Sequence, residues 1–442
     1  MNYQDPRETL NQSAMSTLQW VVVGLTVALN ALDGFDVLAI SFASPGIAAE
    51  WKTSMAGLGL IASMELIGMV VGSIMLGGIA DTIGRRPTIL GCLVFMTIGM
   101  YMVTTTSELA VFSAWRFFTG LGIGGMLAVI NAQAAEFANN KSRPLAIALM
   151  TGGYPIGGIV GGAVVTELLK THDWRSVFYF GTAMTAMLIP LVYFIMPESV
   201  HWLMRKRRPD ALEKINQIMT RLKQATVSVL PEVSQARQSK PFVDIFSKSM
   251  IATTLIVTAG YFFHMITFYY ILKWVPKLVV DLGFSPSSAA GVLTWASVGG
   301  AFGCLTFGWL SRKFDVKRMT LFFYAISWLG VILFGQTSAN LTVLSALVCI
   351  AGYFINSAIV GMYSLMAHVF PTHVRASGTG FAIGVGRGGS VSSPILAGLL
   401  LDGGMGLGML SMIMGTGSLL AFAAMFWLKP AANQDVNGEK VN

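Results

Sequence analysis

Gly77-Gly-Ile-Ala-Asp81-Thr-Ile-Gly84-Arg85-Arg86 is a charged, glycine-broken stretch between two long apolar runs, at about 54–79 and 88–106. A helix needs roughly 20 apolar residues to cross a bilayer core, so this stretch reads as a loop joining two membrane spans. Working outward gives ten further runs, at about 18–41, 109–137, 145–169, 176–196, 250–274, 287–311, 319–337, 341–367, 376–400 and 406–428. None alternates apolar and polar residues as a barrel strand does. Composition agrees: the 442 residues are 54% apolar and only 11% charged, against about 25% charged in soluble domains. The expected fold class is an all-α membrane protein with twelve transmembrane helices.

Arg85 and Arg86 mark one face as basic. With both termini on that face, it collects 22 of the 29 Lys and Arg residues. The opposite face collects five: Lys52, Lys170, Arg175, Lys273 and Lys277. The positive-inside rule makes the basic face cytoplasmic. It also explains the net charge of +8 without a nucleic-acid partner. The expected layout is a cytoplasmic tail at 1–17, a six-helix bundle at 18–197, a cytoplasmic loop at 198–249, a second bundle at 250–428 and a tail at 429–442. In the loop, residues 210–222 place Leu212, Ile215, Ile218, Met219 and Leu222 on one helical face. That segment reads as a surface helix resting on anionic headgroups, in preference to a regulatory partner site. The N-terminus lacks the layout of a cleaved signal, so the first run is expected to insert uncleaved.

Several chemistries have no basis in the sequence. Cys92, Cys304 and Cys349 all sit in apolar runs, which suggests neither disulfide nor metal site. The glycines of 120–125 lie within a span and not after a strand, so they make no nucleotide loop. No nucleophile-and-base set appears. The chain is expected to be no enzyme, to need no cofactor and to draw on an ion gradient.

Matched punctuation points to an internal repeat. Gly77 with Gly308, Pro45 with Pro276 and Asp33 with His264 are each 231 residues apart; Glu136 with His368 and Arg143 with Arg375 are 232 apart. A near-constant offset across different spans argues for two homologous halves. Such halves are expected to hold a substrate near the midplane and to rock for transport.

The opening loop resembles the signature between the second and third helices of the major facilitator superfamily. Arg116-Phe-Phe-Thr-Gly120-Leu-Gly122 resembles that superfamily's fourth-helix motif, and Pro197-Glu198-Ser199-Val-His-Trp202-Leu203 the end of its sixth helix. Leu32-Asp33-Gly34-Phe35-Asp36-Val37, Trp274-Val-Pro276 and Gly386-Arg387-Gly388-Gly389 together resemble the bacterial aromatic acid:proton symporter family. The resemblance spans the chain. It implies the major facilitator fold, two pseudo-symmetric six-helix bundles, in a multi-pass bacterial cytoplasmic-membrane protein. It also implies proton-coupled uptake of an aromatic carboxylate by a carrier, expected to be a monomer, whose partners are the acid, protons and the bilayer. From it comes a cytoplasmic gate of Asp81, Arg85, Arg86, Glu136, Arg143 and Glu198. Two departures limit that gate to the first half: Arg312 stands opposite Asp81, and His368 replaces the acid equivalent to Glu136.

Charges inside a bilayer call for a partner or a wet cavity. Asp33 and Asp36, three apart on one face with Asn30, suit reversible protonation near neutral pH because like charges disfavour joint ionisation. Resemblance makes Arg116 their partner, opened when the acid takes a proton; a permanent brace is the alternative. Glu65 is a further proton-site candidate. Arg387 offers a planar fork for a carboxylate, the alternative being an ion pair with Glu65. Further substrate candidates are His264, Tyr154, Trp295 and Tyr353, each with a packing role as its alternative, and Asn131 and Asn356, polar residues in apolar spans, as hydrogen-bonding candidates. A linear dicarboxylate or a sugar acid would satisfy Arg387 equally. Gly152-Gly-Tyr154-Pro155 partly resembles an antiporter motif, which leaves proton-driven efflux as a rival, and a non-transporting receptor as another.

Overall fold

The computed structural model describes residues 5–207, 209–231, 241–337, 339–371 and 374–428, and among them there is no strand. A short helix α1 (Pro6–Gln12) precedes α2 (Thr17–Trp51), α3 (Met55–Ile83), α4 (Arg85–Thr105), α5 (Leu109–Phe137), α6 (Arg143–Leu168) and α7 (Arg175–Ile195). Three short helices follow: α8 (Val200–Lys206), α9 (Ala211–Arg221) and α10 (Pro241–Asp244). Six long ones complete the chain: α11 (Ile251–Asp281), α12 (Pro286–Leu310), α13 (Val316–Gln336), α14 (Leu341–Val369), α15 (Arg375–Asp402) and α16 (Leu407–Phe426). Among the described residues, eleven helices are long and apolar enough to cross a membrane. The twelfth expected span is α15, which has the length, at 28 residues, but is rich in glycine and serine and carries Arg387.

The repeat is visible in the helix starts. Met55 and Pro286 begin their helices 231 residues apart, as do Arg85 and Val316; Leu109 and Leu341, Arg143 and Arg375, and Arg175 and Leu407 are each 232 apart.

The chain divides into two units. Unit 1 gathers the described residues of Met1–Gly46 and Met64–Ala236, and unit 2 those of Ile47–Ser63 and Arg237–Asn442. Within unit 1, α1 is tied down by side chains of the α5–α6 turn. Asn139 Nδ2 donates to the Ser13 carbonyl at 2.8 Å, and Arg143 donates to Asn11 Oδ1. Within unit 2, the N-terminus of α3 is capped from the end of α15. The Met55 and Ala56 N–H groups donate to the two Asp402 carboxylate oxygens, each at 2.9 Å, satisfying donors a helix start leaves open. Ser63 Oγ donates to the Val391 carbonyl at 2.7 Å further along the same pair of helices.

Three sequence expectations change here. Helices α2 and α11 run well past the predicted ends, through Pro45 and Pro276, because a membrane helix tolerates proline where neighbours re-satisfy the backbone. Lys273, counted on the outer face at the end of the predicted run 250–274, lies well inside α11 and is 3% exposed. The apolar face of α9 does not rest on lipid. Ile215, Ile218, Met219 and Leu222 are all buried within unit 1, where α9 packs on α8.

Candidate functional site

Unit 1 buries four ionisable side chains that the sequence singled out. Asp33 and Asp36 lie on α2, Glu65 on α3 and Arg116 on α5, and none is more than 1% exposed. Arg116 Nη2 forms an ion pair with Glu65 Oε1 at 2.6 Å and donates to the Asp36 carbonyl at 3.2 Å. Its Nη1 approaches Met100 Sδ at 3.3 Å, and the guanidinium lies 5.4 Å from the Phe178 ring centre. The carboxylate partner of Arg116 is thus Glu65, where the sequence pointed to Asp33 or Asp36. Glu65, the alternative partner offered to Arg387, is engaged by Arg116 within unit 1. No carboxylate oxygen of Asp33 or Asp36 has a hydrogen-bond partner among the described residues. Asn30, on their face, donates Nδ2 to the Met150 carbonyl at 2.7 Å, and its Oδ1 has no hydrogen-bond partner among the described residues.

Unit 2 holds Arg387 on α15, half-buried, and among the described residues no ion pair or hydrogen bond engages it. The glycines beside it have divided roles. A side-chain carbon on Gly386 would meet the Tyr261 ring at 2.3 Å, and one on Gly389 the Phe262 carbonyl at 2.0 Å, so both seat α15 on α11. Gly384 faces open space. Tyr261, whose hydroxyl lies 3.1 Å from that of Tyr363, is within electrostatic range of Arg387.

The other substrate candidates are placed less favourably. His264 is 1% exposed, with Nδ1 3.0 Å from Ser418 Oγ and Nε2 3.0 Å from the Ile355 carbonyl. The carbonyl fixes the proton on Nε2, both nitrogens are satisfied, and the ring packs edge-on against Tyr324. Tyr353 receives a bond from Thr306 Oγ1 at 2.6 Å. Asn356 Nδ2 donates to the Gly352 carbonyl of its own helix at 2.9 Å. Trp295 is 51% exposed on the face of α12 that also shows Phe302, Leu305 and Trp309. Tyr154 is half-buried on α6, its backbone carbonyl against Gly34 of α2, and Asn131 is exposed on α5.

The six gate candidates gather at one end of unit 1. Gly84 adopts φ +118°, ψ 165° as it caps α4, a region open essentially only to glycine. That turn lets Glu198 Oε1 accept the backbone N–H of Arg85 at 2.8 Å and of Arg86 at 3.4 Å, as a carboxylate at a helix start should. Burial nonetheless holds the Glu198 carboxyl above its ordinary range. Arg85 pairs with Asp81 at 2.7 Å and with Glu136 at 3.6 Å. Arg205 adds a second pair to Asp81 at 2.9 Å. Arg143 does not join these acids; it donates to the Ala135 carbonyl at 3.0 Å, as Arg375 does to Phe370 at 3.2 Å in unit 2. Sequence reasoning missed His201 here. Its imidazole is held below its ordinary pKa by burial, with Glu136 and Asp5 opposing and Arg7 and Arg143 adding to the effect. Sequence reasoning also put Lys273 at the end of a run, whereas α11 continues past it to Asp281.

Among the described residues there is no group of side chains arranged to hold a metal ion.

Comparison with known proteins adds the following. The family model of the Major Facilitator Superfamily matches residues 26–349 and 257–441. The 4-hydroxybenzoate transporter PcaK of Pseudomonas aeruginosa is 28% identical over 90% of this chain and 89% of its own. The gallate transporter of Pseudomonas putida is 27% identical over 95% and 93%, and the benzoate transport protein of Acinetobacter baylyi 28% over 89% and 86%. The inward open structure of the xylose transporter XylE from E. coli superposes with a TM-score of 0.73 at 17% identity, covering 95% of this chain and 98% of that one.

Proposed function

The chain belongs to the major facilitator superfamily, and we propose that within it the protein is a proton-coupled importer of an aromatic monocarboxylate. It is a multi-pass inner-membrane transporter and not an enzyme. Relatives named for 4-hydroxybenzoate, gallate and benzoate support an aromatic acid as cargo. Both termini are assigned to the cytoplasm, following the basic residues, and the carrier works as a monomer by alternating access on the proton gradient.

The observation that carries the coupling is a charge imbalance: among its described residues unit 1 buries three carboxylates against one guanidinium. Glu65 takes the Arg116 charge. Leaving Asp33 and Asp36 ionised and unbonded in that interior costs several kcal/mol per ion, of order. They are therefore the proton carriers, with Arg116 and Glu65 as their switchable neighbours. For the substrate, Arg387 is half-buried with no ion pair or hydrogen bond among the described residues, and its fork matches a carboxylate. Tyr154, Trp295, Asn131, Tyr353, Asn356 and His264 are retained as cavity candidates, of which His264 has the least free chemistry. Asp81, Arg85, Arg86, Glu136, Arg143 and Glu198 serve as the cytoplasmic gate.

The test is ligand-induced thermal stabilisation of purified protein by 4-hydroxybenzoate, benzoate and gallate. Arg387→Ala and Arg387→Lys should each weaken the acid's binding by at least about tenfold, since Lys cannot replace a bidentate fork. Unchanged binding by both variants would remove Arg387 from the site.

A further inference from the structure

A cavity of about 450 Å³ opens at the end of unit 1 that carries the gate, bounded by α4, the end of α7, α8 and α9. Three cations line it: Arg86, Lys214 and Arg221. Lys214 and Arg221 are seven residues apart on α9, two turns along one face, so the helix that buries its apolar face in the protein turns this basic stripe to the cavity. The acid in the wall, Glu198, is committed elsewhere, its Oε1 accepting the Arg85 and Ser199 N–H groups at 2.8 Å. The cations are only partly engaged. Arg86 donates to the Tyr193 carbonyl, and its Nε has no partner among the described residues. Arg221 reaches the Phe194 and Ile195 carbonyls at 3.4 Å. Lys214 pairs with Asp210 at 2.5 Å where both are about half exposed, a geometry worth little in water. Carbonyls take single donors from a guanidinium and leave its charge standing.

The rim of the cavity is apolar and outward-facing. Ile83 is 45%, Tyr193 54% and Phe194 72% exposed, which suits the interfacial depth where tyrosine collects. A phosphate-bearing head in the basic pocket with a hydrocarbon tail along this rim fits both halves of the surface.

We propose that this cavity binds the phosphodiester headgroup of an anionic glycerophospholipid, with Arg86, Lys214 and Arg221 as its cationic contacts. The site rests on membership of the membrane family and the cytoplasmic placement of this end, not on the identity of the transported acid. Failure to bind aromatic acids would leave it intact.

The experiment uses the full chain in neutral detergent, titrated with dioleoylphosphatidylglycerol, dioleoylphosphatidylcholine or inorganic phosphate while thermal unfolding is followed. Phosphatidylglycerol should stabilise saturably and phosphatidylcholine should not. Lys214→Gln should weaken the apparent affinity about fivefold, in line with one basic side chain near an anionic surface. Lys214→Arg should retain it, which guards against a folding defect. Lys141→Gln, which removes the same charge outside the cavity, should leave it unchanged. Equal loss in Lys141→Gln would reduce the effect to general surface charge and overturn the site. Inorganic phosphate reproducing the full shift without lipid would overturn the headgroup assignment, as would a Lys214→Gln affinity equal to wild type.

Discussion

At the scale of single residues, the Glu65–Arg116 pair decides between a brace and a switch. Losing one member of a buried pair costs about 3–5 kcal/mol when the survivor is left alone. Arg116, however, already donates to the Asp36 backbone, and the Asp36 carboxylate lies within electrostatic reach of it. Glu65→Gln should therefore fold with a loss well under that figure, because an ionised Asp36 takes over the guanidinium. It should also transport with one proton fewer per cycle, measured as the acid-to-proton flux ratio in proteoliposomes. A full-sized stability loss with an unchanged ratio would make the pair a brace. His201 gives a second residue-scale prediction. Its folded pKa lies below its ordinary value of 6.5, so below that pH the unfolded chain binds more protons and stability falls as pH falls. Glu198, with a raised pKa, acts in the opposite sense, losing stability as pH rises through its own window. Comparing the unfolding temperatures of His201→Gln and wild type across pH 5 to 7, about the span of an ordinary histidine titration, isolates the histidine: the variant should lose less on acidification. Asp33, Asp36, Arg116 and Arg387 were visible in the sequence because a charge in an apolar run stands out. Their pairing was not, since helices α2, α3 and α5 are apolar all round and hydropathy does not say which way Glu65 turns.

At the scale of elements, Gly84 shows how a signature loop earns its residue type. Its backbone angles sit where only glycine is at ease, and a side-chain carbon there would meet Glu198 Oε2 at 2.3 Å. Gly84→Ala should combine about 1–3 kcal/mol of backbone strain with displacement of the carboxylate that holds the start of α4. The expected reading is a lower unfolding temperature together with faster exchange of the Arg85 and Arg86 amides. Exchange unchanged at those two amides would separate the glycine from the gate. The helices themselves were legible because a bilayer demands long apolar runs and the chain obliges. Their ends were not. Pro45 and Pro276 look like terminators by the rules of soluble helices, and the membrane relaxes that rule, so α2 and α11 extend through them. The same shortening put Lys273 at a span end when it is buried within α11. Amphipathicity told truly that α9 has an apolar face, and left open whether protein or lipid would cover it.

At the scale of the whole molecule, the repeat generates two units of similar construction with different interior chemistry. Positions 231 apart in α2 and α11 hold Asp33 and His264, and Asp36 and Thr267. In unit 2 both are neutral and satisfied: Thr267 Oγ1 donates to the Met414 carbonyl at 2.8 Å, and His264 has its two partners. Among the described residues the excess of buried carboxylates thus lies in unit 1, while unit 2 buries Lys273 and Lys277 on α11, and the carboxylate count sets the energetics of transport. If Asp33 and Asp36 each carry a proton while Glu65 holds Arg116, two protons accompany one aromatic monoanion, and each cycle moves one net positive charge inward. A membrane potential of 100 mV, negative inside, then contributes roughly 2.3 kcal/mol per cycle, or nearly a fiftyfold gain in accumulation. A single proton would make the cycle electroneutral and blind to voltage. Proteoliposomes clamped with potassium and valinomycin at fixed pH separate the two. Uptake of 4-hydroxybenzoate should rise steeply with an inside-negative potential in wild type. It should lose that dependence, while remaining responsive to a pH gradient, in Asp33→Asn if that variant leaves Asp36 as the remaining carrier. Voltage-independent uptake by the wild-type protein would overturn the two-proton count and leave one of the two aspartates structural.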